Sequence, residues 1–215
     1  MILRSDAPIA PADPEGRLRA ALERFAAIPD DEWSWFRPHL QRRHFRRGEH
    51  LVREGSVVHR KYFILRGCTR TYYLADGREM TRNFTFEGRF AGSSVLAGRT
   101  AHVSVQALEP TDVLGFPGDL LAVMYDRHRC WERIGRRVAE EYWLEKEEKE
   151  LRFRLHTPEE HYRLLVARGH LMTRRVPLRH LASYLGVTPE TLSRIRARIA
   201  AREEVRECVS ACVSA

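Results

Sequence analysis

Polar side chains near the C-terminus recur at a spacing that could read the edges of nucleic-acid bases. Glu190, Ser193 and Arg194 fall on one side of a helix, and Arg196 and Arg198 follow within the next turn. Arginine can donate two hydrogen bonds to guanine, glutamate can accept from cytosine, and serine suits either role. Arg196 and Arg198 could reach phosphates. The set indicates a surface for an anionic partner, although an ordinary solvated helix rich in arginine would show the same composition.

A helix-turn-helix pattern surrounds these residues. Apolar residues recur at helical spacing on both sides of Gly186, which predicts two short helices joined by a tight turn. At the start of the second helix Thr188 is expected to cap, Pro189 suits the first helical position, and Glu190 complements the helix dipole. The apolar positions expected to face inward are Leu178, Leu181, Ala182, Leu185, Leu192, Ile195 and Ile199.

This segment resembles the winged helix-turn-helix of the CRP/FNR transcription regulators. Residues 190–194 (ETLSR) match the E-x-x-S-R recognition pattern of the FNR branch, and Pro189 stands where the cyclic-AMP receptor branch has an arginine. The resemblance implies that Glu190, Ser193 and Arg194 read bases in a TTGA-like half-site. The DNA-binding residues expected on this basis are Thr188, Glu190, Thr191, Ser193, Arg194, Arg196 and Arg198.

The middle of the chain has the pattern of a β-protein. From about residue 42 to 117, short apolar runs alternate with glycine-containing turns, which predicts a sandwich or barrel. Asp76-Gly77 between two such runs is a strong hairpin signal. The runs RGEHLVREG, YFILRG and QALEPTDVLGF resemble strands of the cyclic-nucleotide-binding jelly roll that forms the CRP/FNR sensor domain. Two small helices are expected before it, over 15–27 and 28–40.

The resemblance is incomplete at the effector site. The family normally places a glutamate on the ribose and an arginine on the cyclic phosphate, whereas this chain has Ser93 in the first position and Ala101 or His102 in the second. Loss of a bidentate arginine removes an interaction worth about 1.5 to 3 kcal/mol, so tight binding of cyclic AMP is not expected. The segment is either a pocket for a different effector or a remnant without a ligand; its candidate residues are Gly92, Ser93, Ser94 and His102.

A long stretch without proline, 126–156, predicts one helix with an apolar seam in heptad-like steps. In the family such a helix pairs with its twin, so the resemblance implies a homodimer that reads an inverted repeat. A helix packed only on its own barrel would show the same seam.

Thr157-Pro158-Glu159-Glu160 is a capping box that begins the next domain. The helix that starts there is expected to continue over 161–170, and a short strand over 173–176 is expected after it. The residues after Ala201 are few for a wing, which is therefore expected to be truncated or replaced.

No metal, cofactor or catalytic residue is expected. The four cysteines form no Cys-x-x-Cys pair, and residues 1–50 contain none for an FNR-type iron–sulfur cluster. The histidines are isolated, which makes haem a poor fit, and they lack the His-x-His spacing of a metal-dependent cupin-like enzyme.

The predicted fold class is α+β, with an N-terminal β jelly-roll sensor domain over 1–125, a long dimerisation helix over 126–156 and a C-terminal (winged) helix-turn-helix domain over 157–215. The formal net charge of +8 and a pI near 9.7 favour polyanions. No apolar run is long enough to span a membrane, so a cytoplasmic location is expected.

The predicted function is sequence-specific regulation of transcription by a homodimer on double-stranded DNA, without cyclic AMP. RNA polymerase is a further expected partner if the protein is an activator. The alternative is a ligand-sensing jelly-roll protein whose C-terminal helices bind a protein partner.

Overall fold

A computed structural model describes residues 13–91, 98–167 and 169–213, with side chains as far as Arg202. The chain divides into two compact units. The first runs to Glu145, and the second begins at Lys146 and includes Glu79–Thr81. This division falls inside the helix expected over 126–156, and the three-part scheme of domains stays a prediction.

Two short helices open the first unit, close to the expected ranges. They are α1 (Pro14–Glu23) and α2 (Asp30–Phe36), and a 3-10 turn (Arg37–His39) follows. Phe36 is 1% exposed and its ring centroid lies 5.3 Å from those of Phe116 and Trp131. The helices therefore cover one end of an aromatic core.

Two four-stranded sheets form the body of this unit. The first has the order β1-β8-β3-β6 and the second the order β2-β7-β4-β5. This arrangement confirms the predicted jelly roll. The strands are β1 (Gln41–Phe45), β2 (His50–Val52), β3 (Arg60–Arg66), β4 (Thr69–Ala75), β5 (Arg78–Thr85), β6 (Phe90–Ala91), β7 (Ser104–Ala107) and β8 (Thr111–Pro117).

The hairpin between β4 and β5 turns at Asp76 and Gly77, as predicted. Their φ angles are +50° and +73°, the left-handed values that a type I′ turn requires of both central residues. Aspartate and glycine are among the residues that adopt these angles at low cost.

Two helices follow the jelly roll, α3 (Leu120–Arg127) and α4 (Arg129–Leu155). The single helix expected from residue 126 is therefore wrong at its start, because His128 is extended, with φ −152° and ψ 135°. Its Nδ1 accepts a hydrogen bond from the Cys130 backbone N–H at 3.1 Å and so caps α4. The His128 side chain thus satisfies one of the free backbone donors at the start of α4.

From Lys146 onward, the described part of the second unit is helical. Its elements after α4 are α5 (Pro158–Ala167), α6 (Met172–Arg175), α7 (Leu178–Leu185) and α8 (Pro189–Val213).

Two sequence-based expectations for this unit are wrong. The strand expected over 173–176 is the short helix α6: His170 Nδ1 accepts from the Met172 N–H at 3.2 Å, and Met172 is buried. The helix expected to continue to residue 170 ends at Ala167.

The region expected to supply a wing continues α8 as far as Val213. No wing strand is present in the described residues of this unit, where α8 occupies the position expected for a wing. The expectation that a wing would be truncated or replaced agrees with this helix.

Candidate nucleic-acid interface

The turn between α7 and α8 depends on Gly186. Its φ of +71° and ψ of 27° are left-handed, a conformation that side chains other than glycine adopt at a cost. The Val187 N–H donates to the Ala182 carbonyl at 3.0 Å, which satisfies one of the free carbonyls at the end of α7. Two helices joined by a tight turn at Gly186 are therefore present, and their role as a DNA-binding motif stays a prediction.

Thr188 caps α8. Its hydroxyl accepts a hydrogen bond from the Thr191 backbone N–H at 3.2 Å, and its carbonyl accepts from the Leu192 N–H at 3.0 Å. The pKa of Glu190 lies below its usual value because its own backbone N–H and the Thr188 hydroxyl bind the carboxylate, with a smaller contribution from Arg194. Glu190 is therefore ionised and can act as a hydrogen-bond acceptor.

The two faces of α8 differ sharply. Leu192, Ile195 and Ile199 are 0%, 5% and 7% exposed, so this stripe fixes the rotation of the helix. The polar positions turn to solvent: Glu190, Ser193, Arg194, Arg196 and Arg198 are exposed, and Thr191 is half-buried. The structure thus brings the predicted DNA-binding residues to one accessible surface; their roles in reading DNA stay predictions.

Glu159, on α5, forms salt bridges with three arginines. A carboxylate oxygen lies 2.6 Å from Arg198, 2.6 Å from Arg163 and 3.3 Å from Arg202. By contrast, Arg194 and Arg196 form no salt bridge with any residue of the described part of the chain. The sequence places Glu159 only in the capping box, because a contact across 39 residues leaves no local signal.

The capping box itself has the predicted geometry. The Thr157 N–H donates to Glu160 Oε2 at 2.8 Å, and the Glu160 N–H donates to Thr157 Oγ1 at 3.3 Å. Both carboxylates of this first turn thus have separate tasks: Glu160 closes the cap and Glu159 binds α8.

A buried aromatic cluster supports α5 and α7. The His161 ring lies 4.7 Å from that of Phe153 and 5.8 Å from that of Tyr184, and His161 is 2% exposed. Burial, and then the nearby cations led by Arg152, lower the pKa of His161 to about 4. His161 is therefore a neutral packing residue near pH 7.

Of the four candidate effector residues, His102 lies in the described part of the chain. Gly92, Ser93 and Ser94 lie outside the described residues. His102 is exposed, beside a buried Ala101. Both interpretations of this segment, as a pocket for a different effector or as a remnant, stay predictions.

The apolar seam of α4 separates into two parts. Trp131 and Ile134 are buried in the core of the first unit. Further along, Leu144, Leu151 and Leu155 are 58%, 56% and 67% exposed. Packing on the chain's own barrel therefore accounts for the beginning of the seam and not for these leucines.

Within the described ranges, no group of three or more His, Cys, Asp or Glu residues could hold a metal ion. None of the helices there is long and apolar enough to cross a bilayer. Cys68 and Cys130 are buried and form no disulfide within the described residues.

Comparison with known proteins identifies the jelly roll. Residues 42–128 match the family model of the cyclic nucleotide-binding domain. No curated protein has significant sequence similarity to the chain.

Several solved structures share the fold. FixK2 from Bradyrhizobium japonicum is 20% identical, with 76% of this chain and 86% of that chain covered at a TM-score of 0.65. The c-di-GMP responsive regulator CLP from Xanthomonas campestris is 17% identical (79% and 91% covered, TM-score 0.60). DNR from Pseudomonas aeruginosa is 17% identical (87% and 87% covered, TM-score 0.52). At these identities the likeness establishes the fold.

Proposed function

This chain has a cyclic nucleotide-binding domain and the fold of the CRP/FNR regulators, and we propose that it is a sequence-specific DNA-binding transcription regulator. It acts as a homodimer on a TTGA-like inverted repeat. Each recognition helix, α8, enters a major groove, and the two half-sites lie about one helical turn apart.

The observation that carries this proposal is the exposed polar face of α8. Leu192 at 0% exposure fixes the helix so that Glu190, Ser193 and Arg194 face solvent together. Arg194 forms no salt bridge with the described residues, so its guanidinium can bind guanine O6 and N7. An ionised Glu190 can accept from cytosine N4.

The exposed leucines of α4 support a homodimer. Leu144, Leu151 and Leu155 are seven and four residues apart, so they form one stripe on a helix. More than half of each side chain is exposed in the single chain. A second α4 related by a two-fold axis would cover this stripe. The two DNA-binding domains would then have the symmetry of an inverted repeat.

Cyclic AMP is not the effector in this proposal. The support is the sequence: Ser93 replaces the ribose-binding glutamate, and Ala101 or His102 replaces the phosphate-binding arginine. Ala101 is 1% exposed and adds no polar group. DNA binding is therefore expected without added cyclic AMP.

The test is fluorescence anisotropy with the full-length protein. A labelled duplex with a TTGA-containing inverted repeat is compared with a scrambled duplex, at physiological salt, with and without cyclic AMP. Preference for the repeat in both conditions is the expected result. Equal binding to both duplexes throughout would contradict sequence-specific reading and favour a protein partner for the C-terminal helices.

A further inference from the structure

Three arginines share one carboxylate on the surface of the second unit. Glu159, in the first turn of α5, lies 2.6 Å from Arg163, 2.6 Å from Arg198 and 3.3 Å from Arg202. Arg163 belongs to α5, whereas Arg198 and Arg202 belong to α8, so the group joins two helices that pack together. Arg163, Arg198 and Arg202 thus form an arginine cluster.

The charges in this cluster do not balance. In the part of the chain whose side chains are described, Glu159 is the only carboxylate that forms a salt bridge with any of the three arginines. Guanidinium groups stay protonated at physiological pH, so three positive charges face one negative charge. Like charges held around one acceptor repel each other, and a further anion would relieve that repulsion.

The arginine cluster is accessible from solvent. The exposed fractions of the Arg163, Arg198 and Arg202 side chains are 43%, 54% and 61%, against 20% for Glu159. Each guanidinium has five N–H donors, and one nitrogen of each is bound to Glu159. The other donors can therefore bind the oxygens of a second anion.

Attachment of α8 does not require three ion pairs. The helix is held by its buried stripe of Leu192, Ile195 and Ile199. Ion pairs with exposed side chains each contribute only about 0 to 1 kcal/mol. Convergence of three arginines on one carboxylate therefore indicates a site for an anion rather than a clamp between helices.

The cluster lies beside the face of α8 that carries Arg194. At 3.6 residues per turn, Arg198 and Arg202 lie about 40° and 80° around the helix axis from Arg194, and about 6 and 12 Å further along it. Ala197 and Ala201, both exposed, continue the outward face of Arg194 instead. Beyond Arg194, alanines thus occupy the outward face and arginines occupy its flank.

A helix in a major groove has the phosphate backbones on its flanks. With side chains it is about 10 to 12 Å wide, and the groove is about 12 Å wide. We propose that the arginine cluster binds phosphates of the DNA backbone beside the half-site. Arg163 and Arg202 are then DNA-contacting residues in addition to Arg198, and the contacts extend from the two-helix motif to α5. This inference rests on the proposed function.

Anisotropy of the full-length protein over a salt series, with the repeat and scrambled duplexes, tests the cluster. Arg163→Gln and Arg202→Gln each remove one charge at an exposed position. Each should lower the slope of log K against log salt by about one and weaken binding to both duplexes by the same factor. The ratio of the two affinities should not change, because phosphate contacts carry no base sequence.

Arg136→Gln is the matched control. Arg136 is also an exposed arginine bound to a glutamate one helical turn away, with 2.5 Å to Glu140, as Arg163 is bound to Glu159. It lies on α4 in the first unit, and its replacement should leave the slope unchanged. The double variant Arg163→Gln/Arg202→Gln should lower the slope by about two.

The outcomes separate phosphate binding by the arginine cluster from sequence-specific reading. Equal binding of the unchanged protein to both duplexes would contradict sequence reading, whereas the slopes on the scrambled duplex would still measure the cluster.

An unchanged slope in both Arg163→Gln and Arg202→Gln would overturn the role of the cluster, and so would an equal fall in Arg136→Gln. A loss confined to the repeat would also overturn it, because the arginines would then contact bases. Absence of binding to either duplex would contradict both proposals.

Discussion

Arg198 of α8 is bound to Glu159 of α5, with 2.6 Å between Nη1 and Oε2. Glu159 is the less exposed partner, at 20% of its side chain against 54% for Arg198. Glu159 therefore holds one of the arginines predicted to contact a DNA phosphate. Binding of DNA through Arg198 must either exchange this carboxylate for a phosphate or share the guanidinium between them.

The first prediction concerns Glu159→Gln. The glutamine side chain has the same size and shape as glutamate but carries no charge, so Arg198 and Arg202 lose their ion pairs with residue 159. Affinity should rise for repeat and scrambled duplexes alike, and the slope of log K against log salt should steepen by up to about two. The measurement is anisotropy over a salt series.

Glu150→Gln is the matched control for that variant. It removes the same charge and also breaks an ion pair with an arginine, Arg154, but on α4. Its affinity should stay close to that of the unchanged protein. Weaker DNA binding by Glu159→Gln at an unchanged slope would mean that Glu159 positions α8 and does not compete with phosphate.

Arg194→Ala tests base reading. The exposed guanidinium has no salt-bridge partner in the described structure, so its removal costs DNA contacts and leaves the fold intact. We expect a loss of about 1 to 3 kcal/mol on the specific site and relaxed preference at one G·C pair. Competition binding against duplexes substituted at each position measures both effects.

Arg196→Ala is the comparison on the same helix. A phosphate-contacting arginine should weaken all sequences alike and lower the salt slope by about one. If Arg194→Ala behaved in this uniform way too, the assignment of Arg194 to a base would be wrong.

Leu151→Glu tests the dimer. Leu151 is 56% exposed, so the single chain gains little from it, whereas two like charges facing each other across a two-fold axis would repel. Analytical ultracentrifugation should show dissociation, and binding to the inverted repeat should fall with it. Ala139→Glu, at another exposed position of α4, adds the same charge away from the leucine stripe and should remain dimeric. A dimeric Leu151→Glu protein would place the interface elsewhere.

The parts of the fold that sequence predicted correctly are those fixed by local geometry. Asp76-Gly77 predicts its hairpin because a type I′ turn selects residues by backbone angle. The turn between α7 and α8 is predicted for the same reason. Gly186 supplies the left-handed φ angle, Thr188 caps α8, and Leu192 is the buried apolar position of the helix.

Two of the failures are helix starts capped by a histidine side chain, which no standard sequence pattern marks. Residues 173–176 have no strong helical period, and a cap from His170 makes them the helix α6. His128 separates α3 from α4 without any proline or glycine to mark the break. The contact of Glu159 with Arg198 of α8 joins residues far apart in the chain, so it has no sequence pattern.

The buried histidine of the second unit predicts a pH effect on stability. The pKa of His161 is lowered from 6.5 to about 4, so between these values the unfolded chain binds a proton that the folded protein excludes. The contribution of His161 to the free energy of unfolding is fully present above about pH 6.5. It declines as the pH falls towards 4 and changes no further below that. The full loss is about 3 kcal/mol, at 1.36 kcal/mol per unit of pKa. Urea unfolding at pH 7.5 and 4.5 measures this loss.

His161→Phe keeps an aromatic ring beside Phe153 and Tyr184. It should reduce the difference in free energy of unfolding between the two pH values by most of this amount. His102→Ala, which removes an exposed histidine, should leave the difference unchanged; an equal pH dependence in all three proteins would show that His161 is not its source.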